Sequence, residues 1–167
     1  MKTLTSTLIL AIVCAGAGLA QTKIAVVNSQ KALLDTAEIK KAQLDLEAKF
    51  KPRQDQMAKL QKDLQDIQTQ LQSGKLNEIG VQDLTAQGQR KQVQLQRLQQ
   101  DLQADVDSER NDILQRAGTR MQEIVKKMAN EKGLDIVIDT SNTVFYKEAL
   151  ELTAEAVAGY NKAYPVK

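Results

Sequence analysis

Enzymatic chemistry needs groups that attack, carry protons or hold a metal, and this chain is short of them. It has no histidine and one cysteine, Cys14. Without histidine the usual serine and cysteine triads cannot be assembled. No Gly-x-x-x-x-Gly-Lys-Ser/Thr run offers backbone amides to a nucleotide. Acidic residues gather at Asp101, Asp105, Asp107, Glu109 and Asp112, but Arg110 and Arg116 lie among them. Spread around a helix, they read as a solvated face rather than a cation site. A small basic group, Lys75, Arg90 and Lys91, could touch an anionic lipid headgroup or lipopolysaccharide, although Asp83 sits close by. Residues 54–103 hold sixteen glutamines in fifty positions. They form either an adaptable surface that brushes other chains or plain solvated helix made of good helix formers. No catalytic, cofactor-binding or metal-ligating residues are assigned, and the chain is not read as an enzyme.

The elements that carry these residues are helical. From Glu38 to Glu131 apolar residues recur at helical spacing: Leu46, Phe50, Met57, Leu60, Leu64, Ile67 and Leu71, then Leu84, Leu95, Leu98, Leu102, Val106, Ile113, Ala117, Met121, Ile124 and Met128. Such a stripe buries one narrow face against a partner helix. Two glycines between residues 73 and 80 mark a tip, so residues 36–131 read as a helical hairpin. Pro52 lies well inside the first helix, where the missing amide and the ring clash predict a kink. Arg53, Lys91, Glu109 and Arg120 interrupt the seam. Gly88 and Gly118 weaken the second helix by about 1 kcal/mol each relative to alanine. The arm should flex, most at its tip.

Residues 1–20 begin with Lys2, continue with the apolar run Leu8–Val13 and end at Gly18-Leu19-Ala20. That is the layout of a cleavable signal peptide for export. The apolar run is shorter than a membrane span requires. Lipidation at Cys14 is disfavoured by Val13, which stands where a small residue is expected. Of 167 residues, loss of the first 20 leaves 147, the size of one domain. Losing Lys2 turns 23 basic residues into 22, against 21 acidic, so bulk charge does not point to nucleic acid. Aromatics make up 3% of the chain, too few for an ordinary compact core.

The two ends read as a small base, 21–35 and 132–167. Lys23-Ile24-Ala25-Val26-Val27 is a strand. Asn28-Ser29 caps a short helix, and Asp35 or Thr36 caps the long one, with Glu38 reaching back in a capping box. A single helix from residue 29 is the alternative. Past Gly133 the period changes to two. Leu134–Asp139 and Thr143–Tyr146 read as a β-hairpin turning at Thr140-Ser141-Asn142, followed by a helix over 149–163. With residues 23–27 alongside, three short strands would form the sheet. So small a core would gain from several bases packed together.

This order of parts resembles the Skp/OmpH family of periplasmic chaperones. The residues that carry the likeness are Ile24-Ala25-Val26-Val27-Asn28-Ser29-Gln30-Lys31, then Ala129 to Asp139, Val144-Phe145-Tyr146 and Ala149-Leu150-Glu151-Leu152-Thr153. The resemblance implies an α+β fold with a small β-sheet body and long antiparallel coiled-coil arms, assembled as a jellyfish-like homotrimer. It implies an ATP-independent periplasmic holdase for unfolded outer-membrane proteins, without cofactor or nucleic acid. Ile24, Val26, Leu134, Ile136, Ile138 and Val144 would then form the subunit interface. The well-known members are strongly basic, and this chain is near neutral. A structural or adaptor coiled coil of the cell envelope is the alternative.

Overall fold

A computed structural model describes residues 22–166. The signal-peptide reading of residues 1–20, with Cys14, lies outside the described residues. Strand β1 (Ile24–Val27) leads into the short helix α1 (Ser29–Leu34), and the arm consists of α2 (Ala37–Gln72) and α3 (Glu78–Lys132). Strand β2 (Ile136–Asp139) follows, then two 3₁₀ turns (Thr140–Asn142 and Glu148–Leu150) and helix α4 (Thr153–Ala163).

Helices α1, α2 and α3 each start where a side chain can satisfy free amides. Asn28 accepts from Lys31 N at 2.8 Å, Thr36 from Ile39 N at 3.3 Å and Asn77 from Gly80 N at 2.8 Å. A short helix and a long one therefore form as read, and not the alternative of a single helix from residue 29. The expected capping box does not form, because Thr36 is the cap and Glu38 turns sideways to Arg120. The tip is shorter than residues 73–80: Asn77 starts α3 at Glu78 and leaves Gly80 inside the helix. Gly74 makes the turn at φ 65°, and Gly133 ends α3 at φ 59°, both in the left-handed region that glycine enters without strain.

Every residue named in the arm's apolar stripe is buried or half-buried. At ~1.5 Å per residue, α2 reaches ~54 Å and α3 ~83 Å. The extra length of α3 runs into the base, where Ala117, Met121 and Met128 pack with Val27, Ala32, Ile39, Ala156 and Tyr160. The base core thus draws Ile39, Ala117, Met121 and Met128 from within the arm range. Gly159 lets α4 lie close on α3, since a Cβ there would stand 3.1 Å from Ile124 Cγ2.

The sheet departs from expectation. It has two strands, paired in parallel with Ile24 opposite Ile136 and Val26 opposite Ile138. Parallel neighbours need a long crossover, and the whole arm serves as one. The 134–146 hairpin does not form. The Asp139 carboxylate accepts from Ser141 N and Oγ at 2.8 and 2.7 Å, and from Ser29 N at 3.0 Å. These bonds wind Thr140–Asn142 into a 3₁₀ turn and hold the Asp139 carboxyl far below its ordinary range, the Ser141 and Ser29 bonds being the main causes. Val144 therefore stands outside any strand, fully exposed, and the last helix starts at Thr153 rather than 149. The far side of β1 is bridged instead at Glu151, where Leu152 N donates to Val26 O at 2.9 Å.

Candidate functional site: a partly covered sheet face and an ion-paired arm

Side chains alternate across a strand, so the register places Ile24, Val26, Ile136 and Ile138 on one face of the sheet. Ala25, Val27 and Val137 point the other way, and Val27 and Val137 pack on the helical core. The first face is covered only in part. Val26 is buried and Ile138 half-buried, but Ile24 and Ile136 are exposed. Leu134, half-buried, lies in the same phase just before β2. Of the six interface candidates, five fall in this one phase, and Val144 stands apart beyond the 3₁₀ turn. Its neighbour Phe145, not among the six candidates, is 83% exposed. The signal was there: it is one of only two phenylalanines, in a run of β-formers.

The outer edge of β2 carries no strand among the described residues. An unpaired edge beside exposed apolar side chains is the surface that folded chains ordinarily cover.

The charges that interrupt the arm's seam all find partners on the facing helix. Arg53 pairs with Asp105 and Lys49 with Glu109, their cations flanking the buried Phe50 ring. Lys91 Nζ donates to Asp63 at 2.6 Å, and that bond is the main cause of the depressed Asp63 carboxyl. Arg120 Nη1 donates to both Glu38 oxygens, at 3.0 and 2.9 Å. The seam is therefore closed by ion pairs where it lacks apolar residues. Asp105 and Glu109, two of the five clustered acids, serve this purpose.

Glu38 is the centre of the arm's root. Tyr160 of α4 donates to it at 2.6 Å, and Arg116 Nε lies 3.5 Å away. Burial raises its carboxyl, but the bonds from Tyr160 and Arg120 and the charges of Arg120 and Arg116 outweigh that, so it titrates below its ordinary value. Burial, and then the bond to Glu38, push the Tyr160 hydroxyl up to about 12. Arg120 also lies over the Tyr164 ring, 4.6 Å from its centroid, and Asn161 Oδ1 accepts from Ala37 N at 2.9 Å. Helix α4 thus fastens both arm helices to the base. From sequence this network was visible only as a misplaced Arg120 in the seam.

The basic trio does not form one patch. Lys91 is engaged with Asp63, Lys75 sits in the tip loop, and Arg90 lies about 15 Å down the shaft from Gly80 at helical rise. Exposed Ile79 and Val81 flank the tip. Among the described residues no helix is long and apolar enough to cross a membrane, and no group of three or more His, Cys, Asp or Glu could hold a metal. Pro52 lies inside α2, which continues through it as one helix.

Comparison with known proteins agrees with this architecture. The family model for OmpH-like outer membrane protein matches residues 23–160. Chaperone protein Skp of Salmonella typhimurium is 31% identical over 158 residues, covering 87% of this chain and 95% of that protein. Chaperone protein Skp of Escherichia coli K12 is 30% identical over 140 residues, covering 81% and 84%. A Skp-like protein of Pseudomonas aeruginosa is 25% identical over 154 residues, covering 91% and 92%. The crystal structure of an OmpH-like protein from Caulobacter crescentus superposes with a TM-score of 0.74 at 15% identity, over 90% of each chain, and shares the fold. The small parallel sheet, the long crossover arm and these matches together place the chain in the OmpH-like family.

Proposed function

We propose that this protein is an ATP-independent holdase chaperone of the periplasm. It would bind unfolded outer-membrane proteins between helical arms and prevent their aggregation. The observation that carries the reading is the partly uncovered apolar sheet face at the root of the arm. A single chain leaves Ile24, Ile136, Val144 and Phe145 in water, next to a free β2 edge. Three copies packed face to face would cover this surface and set three arms around one space. The expected strand at 143–146 finds no partner within its own chain, and the β2 edge of a neighbouring copy supplies one. Membership of a family whose relatives are named chaperones supports the client-binding role. The mature chain's near-neutral charge points to client contacts that are many and weak, not to one strong electrostatic grip.

The test uses purified mature protein and a denatured outer-membrane barrel diluted from urea. The holdase suppresses light scattering without ATP, saturating near one trimer per client. Failure to suppress aggregation at any ratio sinks the chaperone reading and leaves the structural-adaptor alternative. The trimer is checked separately by multi-angle light scattering, where Ile136→Asp combined with Phe145→Asp should leave a helical monomer. A monomer or dimer mass for the wild type would refute it.

A further inference from the structure

The arm's shaft carries a groove of ≈ 580 Å³ on the flank of α3, reaching Gln56 of α2. Arg90, Val93, Arg97 and Leu98 line it. Positions i, i+3, i+7 and i+8 share one helix face. Val93 is 47% exposed, whereas Val106 farther along α3 is half-buried. Arg90 and Arg97 form no ion pair among the described residues, whereas Arg53, Lys49, Lys91, Arg116 and Arg120 are all engaged by carboxylates. Asp101, one turn beyond Arg97, marks the end of the groove nearer the base.

We infer that this face docks an extended segment of unfolded polypeptide bearing two carboxylates three residues apart. The inference rests on the chaperone reading and names where and how a client touches the arm. Seven helical residues separate the guanidinium groups' Cα positions by about 10.5 Å. Unfolded chains favour polyproline II, with three residues per turn and ~3.1 Å rise, so side chains i and i+3 lie on one side about 9 Å apart. Carboxylates at that spacing meet both arginines. Charge complementarity thus selects the occupant. A bilayer is a poor fit: the groove lies about 20 Å along the helix from Gly80, and a single exposed valine is no apolar stripe.

The experiment measures anisotropy of a labelled, unstructured peptide containing Asp-Val-Gly-Asp, and of its Asn-Val-Gly-Asn counterpart, against the full mature protein. The Asp peptide should bind about tenfold tighter, as two exposed ion pairs provide, and the difference should shrink with added salt. Arg90→Glu with Arg97→Glu should abolish the difference. Lys59→Glu with Lys62→Glu, the same charge change off the groove, should preserve it. The inference is overturned if the arginine variant binds as wild type does, or if the lysine control loses as much. It also falls if the arginine variant loses binding only to vesicles of anionic lipid. If any of these outcomes appears while the wild type still suppresses barrel aggregation, the groove assignment is wrong and the chaperone reading stands.

Discussion

Tyr160→Phe isolates one hydrogen bond at the root of the arm. The ring stays in a site that is completely buried, so no cavity opens, and only the hydroxyl 2.6 Å from Glu38 is lost. A hydrogen bond to a charged group contributes ~1.5–3 kcal/mol. Arg120 continues to hold both carboxylate oxygens, so Glu38 is not left bare and the lower end applies, about 1.5 kcal/mol. Glu38→Gln removes the charge that Arg120 and Arg116 share. Arg116 is more than half exposed and Arg120 about a third, so screening limits the cost to about 1–2 kcal/mol. At ~2–4 °C per kcal/mol for a chain of this size, Tyr160→Phe should melt about 3–6 °C lower and Glu38→Gln about 2–8 °C lower. Circular dichroism at fixed protein concentration reads this, and the double variant gives the coupling.

The pH dependence supplies an independent check. Glu38 titrates below its ordinary value of 4.5 in the folded chain, so its contribution is present above about 4.5 and disappears as pH falls through the lower folded value. Tyr160 is raised to about 12 from 10, so its contribution is complete below pH 10 and lost between 10 and about 12. Glu38→Gln should flatten the acid limb and Tyr160→Phe the alkaline one. If Tyr160→Phe unfolds at the wild-type temperature and its alkaline limb is unchanged, the reasoning about the arm's root is wrong.

Thr36→Ala removes a completely buried cap whose hydroxyl also donates to Leu33 O at 2.8 Å, and should cost about 1–2 kcal/mol in urea denaturation. Gly118→Ala meets no atom within 4 Å of its new Cβ and should stabilise by up to ~1 kcal/mol in the same assay. Pro52→Ala restores an amide that can reach the carbonyl of Ala48. The arm should straighten and resist urea better, visible as a longer maximum dimension in small-angle scattering; an unaltered profile would count against a kink at Pro52.

The local code is plain in the arm. The spacing from Leu46 to Leu71 and from Leu84 to Met128 decides both helices, because a 3.6-residue period leaves one face to bury. Asn28, Thr36, Asn77 and Gly133 decide where helices start and stop, since their effects reach only a turn away. Tertiary structure decided the rest. Nothing local says that Arg53, Lys91, Glu109 and Arg120 are paired, because their partners lie 28 to 82 residues away. The same distance hides the fate of Thr143–Tyr146. Its β-forming residues predict a strand, but a strand needs a neighbour, and Asp139 commits the preceding residues to a 3₁₀ turn through Ser141 and Ser29. Whether an extended segment becomes a strand depends on what lies beside it, and among the described residues nothing pairs with this one.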